Sequence, residues 1–218
     1  MDFPKAFIHA WEDYTSPDHP VPAPYLRRSF HTKDGGPGRL TIGCAGFYEL
    51  YLNGCRITKG ALAPYISNPN DLLYYDTYAV DLLPGENVIG LWLGNGFQNC
   101  PSGYIWDFDK APHRGTPRAA LRLDYTDSLG SHTLESDTEF RCAPSPVLYD
   151  DYRFGEHYDA RLEVPGWNQP GFDDSGWTSA LPAPVPLGEP RLCRADPIVV
   201  AQTLSPVSIN LEEEGCYR

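Results

Sequence analysis

Two tight turns constrain this chain more than anything else in it. Asn53-Gly54 ends the run Tyr48-Glu49-Leu50-Tyr51-Leu52, and Pro84-Gly85-Glu86-Asn87 opens the run Val88-Ile89-Gly90-Leu91-Trp92-Leu93. Both runs carry apolar residues at every second position, the period of a half-buried strand rather than of a helix. Asn-Gly is the dipeptide that a two-residue hairpin requires, because a type I′ turn needs positive φ at both central positions. The second run stops at Gly94-Asn95-Gly96, where a backbone without Cβ can bend sharply or approach a ligand. The chain therefore reads as a sheet whose rim carries the polar chemistry.

Composition extends that reading to the whole of the 218 residues. Twenty-two prolines, twenty glycines and a single methionine favour short strands and many turns over long helices. Further strands are expected at 25–30, 39–43, 74–83, 119–125, 132–134 and 138–142, and the expected class is an all-β sandwich. Residues 1–24, with Pro17, Pro20, Pro22 and Pro24, read as an arm lying on the domain and anchored by Trp11. Residues 25–180 read as the sandwich, and residues 181–218 as a Pro-rich linker leading into the truncated start of another β-domain. The flexible loop Asp34-Gly35-Gly36-Pro37-Gly38 is expected between the first two strands, and a long loop over 97–118. The last residues, Gly215-Cys216-Tyr217-Arg218, stop within a strand-like pattern, and the expectation is a fragment of a longer polypeptide.

A formal net charge of −12 argues against nucleic acid or an anionic membrane as partner, since both need a basic face. No apolar run approaches the ~20 residues of a membrane span. The first residues lack a basic stretch followed by an apolar one, so a cytoplasmic protein is expected. Cys44, Cys55, Cys100, Cys142, Cys193 and Cys216 include no C-x-x-C pair, and free thiols are expected rather than a zinc site.

The order Tyr48-Glu49-Leu50-Tyr51-Leu52-Asn53-Gly54, Tyr75-Asp76-Thr77-Tyr78-Ala79-Val80, Leu82 to Gly90 and Leu93-Gly94-Asn95-Gly96-Phe97 resembles the amino-terminal domain of bacterial α-L-rhamnosidases of glycoside hydrolase family 78. The run Gly155-Glu156-His157-Tyr158-Asp159-Ala160-Arg161-Leu162-Glu163, followed by Gly166-Trp167 and Gly171 to Trp177, carries the more specific part of the resemblance. The resemblance implies a jelly-roll sandwich of the galactose-binding-like kind, and that catalysis lies in a downstream barrel of paired helices, where two carboxylates serve an inverting reaction. It also implies partners: the remaining domains of the same polypeptide and rhamnose-containing glycans.

Some relatives of this module bind rhamnose with calcium, which makes calcium the candidate ion, though no cofactor is required. Calcium takes several oxygen ligands; Asn95, with Asn53 or Asp76 nearby, could supply some, or the two asparagines serve turns alone. Tyr104, Trp106 and Phe108 in the long loop, with Asp107 and Asp109, could stack and hydrogen-bond a sugar, or could cover a sheet edge or another domain. Glu156, Tyr158, Asp159 and Arg161 invite an acid–base assignment. Yet Arg161 lies two residues from both Asp159 and Glu163, so on a strand the three would share a face as a structural ion-pair network, or would face another domain. Asp173-Asp174-Ser175 reads as a turn before a buried Trp177. The reading is a non-catalytic sandwich of a rhamnosidase, serving as scaffold or accessory sugar surface. The alternative is an autonomous lectin-like module.

Overall fold

The computed structural model describes residues 3–103 and 106–217, and its regular structure is almost entirely strand. In chain order the strands are β1 (Ile8–His9), β2 (Pro24–Thr32), β3 (Gly36–Ala45), β4 (Phe47–Leu52), β5 (Cys55–Arg56), β6 (Leu72–Leu82) and β7 (Gly85–Gly94). There follow β8 (Arg118–Asp127), β9 (Gly130–Glu135), β10 (Arg141–Pro144), β11 (Val147–Asp151), β12 (Gly155–Tyr158), β13 (Thr178–Ser179), β14 (Leu181–Pro182), β15 (Glu189–Leu192), β16 (Leu211–Glu213) and β17 (Cys216–Tyr217). Two short 3-10 turns interrupt the loops, Phe108–Lys110 and Ala160–Leu162.

Two sheets face each other, the sandwich expected from the alternation and the jelly roll that the resemblance implies. One is ordered β14-β1-β8-β3-β6-β15, with β9 paired to β8; the other is ordered β13-β10-β2-β7-β4-β5. Leu40 and Ile42 of β3 and Leu121 and Leu123 of β8 meet Leu50 of β4 and Ile89 and Leu91 of β7 in one apolar core. Each such side chain, fully buried, contributes roughly 1.5–3 kcal/mol relative to exposure. The Asn53-Gly54 turn behaves as its sequence demands: Asn53 sits at φ 52 and Gly54 at φ 84, joining β4 to β5. Trp11 packs half-buried on the edge of the core.

Several boundaries differ from the sequence reading. Gly36-Pro37-Gly38 is strand, not loop: it pairs with Leu82, Asp81 and Val80 of β6, and cross-strand pairing overrides its turn-like composition. The arm contributes β1, whose Ile8 pairs with Ala119 on one side and Pro182 on the other. Residues 181–192 likewise complete this sheet instead of linking away from it: β14 pairs β1, and β15 runs parallel along β6 from Leu72 to Tyr75. Arg161 does not stand on a strand. Asp159 caps the 3-10 turn by accepting from the Arg161 backbone N–H, so the two-residue spacing does not place Asp159, Arg161 and Glu163 on one face. Trp177 is half-buried, edge-on to Phe172 at 5.6 Å, not fully buried. All six cysteines are free.

Beyond β15 the Cys193 N–H donates to the Tyr75 carbonyl at 2.8 Å, and the Ala61 N–H donates to the Ile198 carbonyl at 2.9 Å. From there Val199, Val200, Leu204, Val207, Ile209 and Leu211 are all exposed.

Candidate binding groove at the sandwich rim

A groove of 460 Å³ opens where β4 and β7 end beside the β11–β12 hairpin. It is lined by Phe47, Trp92 and Gly94 of these strands, by residues of the hairpin from Asp150 to Glu156, and by Ala61-Leu62. The hairpin is fixed by Asn95. Its backbone N–H donates to Asp150 Oδ2 at 2.7 Å, and its side-chain amide donates to Asp150 Oδ1 at 2.8 Å and to the Asp150 carbonyl at 3.0 Å. Burial pushes the Asp150 carboxyl up to about 6, against the Asn95 N–H and with the neighbouring charges of Asp151 and Glu156. Asp151 does the converse job. It accepts from the N–H groups of Ser102, Arg153 and Phe154 at 2.9, 2.6 and 3.0 Å, which outweigh its burial and hold it below the usual carboxylate range. Each acid therefore closes a turn.

An aromatic ladder leads out of the groove: Phe47 to Tyr152 at 6.2 Å, Tyr152 to Phe97 at 4.9 Å, Phe97 to Phe108 at 5.3 Å, and Phe108 to Trp106 at 5.6 Å. Trp106 ends it, 71% exposed, with the Arg153 guanidinium over its ring at 4.1 Å. Trp106 and Asp107 both hold positive φ, 62 and 51, a conformation that non-glycine residues adopt only when their surroundings impose it. Asp107 pairs with Lys110 at 3.0 Å in solvent. Tyr104 lies outside the described residues.

The remaining sequence candidates are dispersed. Asn53 is spent on its turn, donating through Nδ2 to Asn87 at 2.9 Å and accepting from the Val88 N–H at 2.7 Å. It stands at the other end of β7 from Asn95, roughly 23 Å away at strand rise. Asp76 belongs to the facing sheet and accepts from Tyr48 OH at 2.7 Å, while Tyr78 OH donates to Tyr48 at 2.7 Å. Burial raises the Asp76 carboxyl. The oxygens of Asn95 and Asp76 are thus engaged apart from Asn53, and no group of three or more His, Cys, Asp or Glu among the described residues could hold a metal. Asn53 is therefore too far from Asn95 for the two to share one ion. Of the four acidic-segment candidates, Glu156 lines the groove, Tyr158 OH donates to Glu163 at 2.6 Å, and Asp159 holds Arg161 in a two-point pair at 2.6 and 2.8 Å. They form two separate surface pairs and a groove residue, not one network.

Sequence reasoning passed over Asp150, whose role depends on Asn95 55 residues earlier, and Asn87, fully buried behind the β6–β7 turn. The polar residue just inside the Pro84-Gly85 turn was the available signal for Asn87.

Comparison with known proteins assigns this architecture. The chain is 30% identical over 201 residues to an alpha-L-rhamnosidase of Streptomyces avermitilis, covering 88% of this chain and 19% of that protein. The structure of an alpha-L-rhamnosidase from Dictyoglumus thermophilum superposes with a TM-score of 0.82 at 29% identity, over 98% of this chain and 25% of that one. The Streptomyces avermitilis alpha-L-rhamnosidase complexed with L-rhamnose gives a TM-score of 0.75 at 27% identity, over 91% and 20%. The chain thus spans between a fifth and a quarter of the length of these relatives. With residues 37–202 matching the family described as the alpha-L-rhamnosidase N-terminal domain, the chain belongs to that family.

Proposed function

We propose that this chain is a non-catalytic β-sandwich of a glycoside hydrolase that removes terminal α-L-rhamnose, and that it serves the other domains of the same polypeptide as a scaffold. The observation that carries this reading is the commitment of the carboxylates around Glu156, the exposed acid of the groove. A glycosidase needs an acid and a base facing one substrate across a gap of roughly 5–10 Å. Here Asp150 and Asp151 are bound into turns, Asp76 lies inside the sandwich, and Asp159 is paired with Arg161. The relatives are four to five times longer, and the exposed apolar segment from Val199 to Leu211 is the kind of surface that another domain covers. Turnover of an aryl α-L-rhamnoside by the full-length protein, with none by residues 1–218, is the expected result. Turnover by residues 1–218 alone would refute the reading.

A second reading rests on Trp106, exposed at the end of the aromatic ladder beside Asp107. There the domain would contact a glycan as an accessory, lectin-like surface. Retention of a rhamnose-containing glycan on an array, lost in Trp106→Ala, is the result it requires.

A further inference from the structure

The groove is built to receive apolar side chains. Its deeper polar atoms are engaged from within: Asp150 by Asn95, Asp151 by three N–H groups, Trp92 Nε1 by Ser145 Oγ at 3.0 Å, and Glu49 by Tyr51 at 2.5 Å and Arg56 at 3.0 Å. Tyr48 OH is likewise engaged with Asp76 and Tyr78. A saccharide entering here would set most of its hydroxyls against apolar surface and against polar groups already engaged with one another. What remains on offer is mainly the apolar surface of Phe47, Trp92, Leu62 and the Tyr152 ring, with the Tyr152 hydroxyl and the Glu156 carboxylate at the exposed edge. Leu62, 49% exposed, stands at φ 55 on the rim.

The same rim is where the chain leaves the sandwich. Ala61 bonds to Ile198, and Val199 and Val200 continue from that point with their side chains in solvent. Polypeptide tethered there meets the groove at an effective concentration of order mM, so a modest apolar contact suffices to seat it. Leu62 of the groove rim and Ile198 of the tether line one shared cleft, and Val199 and Val200 follow it in sequence, exposed.

We propose that the groove between Leu62 and the β11–β12 hairpin is the docking site for apolar side chains of a downstream domain of the same polypeptide. This rests on the reading of the chain as one domain of a longer rhamnosidase. The test uses the full-length protein with the photoreactive substitution Leu62→p-benzoylphenylalanine. On irradiation, a cross-link within one polypeptide to a residue beyond 218 is expected. Cross-links confined to residues 1–218, cross-links to a second copy that rise with protein concentration, or displacement of the cross-link by a rhamnose-containing oligosaccharide would each overturn the proposal. Leu62→Glu in the full-length protein supplies an independent reading. Amides of residues 147–158 should exchange with deuterium about tenfold faster than in the parent, as a charge at an apolar contact demands; unchanged exchange counts against docking. Turnover of an aryl α-L-rhamnoside is measured on the same preparations. An active enzyme without the downstream cross-link rejects the docking site alone, and an inactive protein that cross-links as expected rejects the rhamnosidase reading alone.

Discussion

Arg27 of β2 and Asp174, 147 residues later, form an ion pair that pins the aromatic segment 167–177 onto the outer face of the six-stranded sheet. Arg27 is 1% exposed, donates also to the Gln169 carbonyl at 3.2 Å, and lies 5.3 Å from the Phe172 ring centroid. Beside it, Trp167 stacks on Tyr25 at 4.1 Å and meets Tyr51 edge-on at 5.5 Å.

Asp174→Ala leaves the Arg27 cation buried without its counter-charge. Since Asp174 itself keeps a quarter of its surface in water, the expected loss lies near the lower end of the ~3–5 kcal/mol typical of a broken buried pair. Arg27→Met, which removes the buried charge and keeps most of the volume, should cost less. Urea unfolding midpoints of the two variants check the order; equal or inverted losses would contradict this account.

Asp150 should make the fold pH-sensitive. Its folded carboxyl titrates at about 6 against 3.8 for an ordinary aspartate. The raised value means that the folded state binds the proton more tightly, so this contribution is fully present below pH 3.8 and is lost as pH rises through 6. The two-unit difference corresponds to at most about 3 kcal/mol. Asp150→Asn should be less stable overall, because its amide faces that of Asn95, but its melting temperature relative to the parent should improve steadily between pH 4 and pH 7. A constant difference across that range would show that Asp150 does not titrate there.

Asn87 closes the β6–β7 turn from inside. Its Oδ1 accepts from the Leu83 N–H and from Asn53 Nδ2, both at 2.9 Å, and its Nδ2 donates to the Leu83 carbonyl at 2.7 Å. Asn87→Ala strands several buried backbone groups and should cost about 3 kcal/mol, at 1–3 kcal/mol for each group left unsatisfied. Chemical denaturation measures it, and a loss under about 0.5 kcal/mol, the size of an ordinary surface substitution, would rule this role out.

Gly90 lies directly under the aromatic segment. A Cβ there would stand 2.9 Å from Asn168 Cβ and 3.0 Å from the Trp167 ring. Gly90→Ala should therefore lift Trp167 off Tyr25, cost about 1–3 kcal/mol as overpacking does, and change the near-ultraviolet circular dichroism of the stacked rings. An unaltered spectrum would mean that the segment is not seated as described.

The sequence was legible wherever structure is local. Period-two alternation located the long strands, and Asn53-Gly54 located its hairpin, because strand pleat and turn geometry act over a few residues. It was silent on pairs set by topology. Nothing near Arg27 announces Asp174, and nothing near Asn95 announces Asp150. The parallel seating of β15 on β6 depends on where a Pro-rich connection lands. The spacing of Asp159, Arg161 and Glu163 misled for a related reason: a two-residue interval shares a face only if the backbone is extended, and Asp159 instead caps a 3-10 turn.

The place of β2 in its sheet carries a practical consequence. It runs between β10 and β7, paired with Cys142 and its neighbours on one side and with the length of β7 on the other. The family match begins only at residue 37, after β2 has ended. A recombinant piece trimmed to the matched boundaries would expose two raw strand borders, and raw borders recruit one another between molecules. Such a piece should precipitate where the chain beginning before Pro24 stays dispersed.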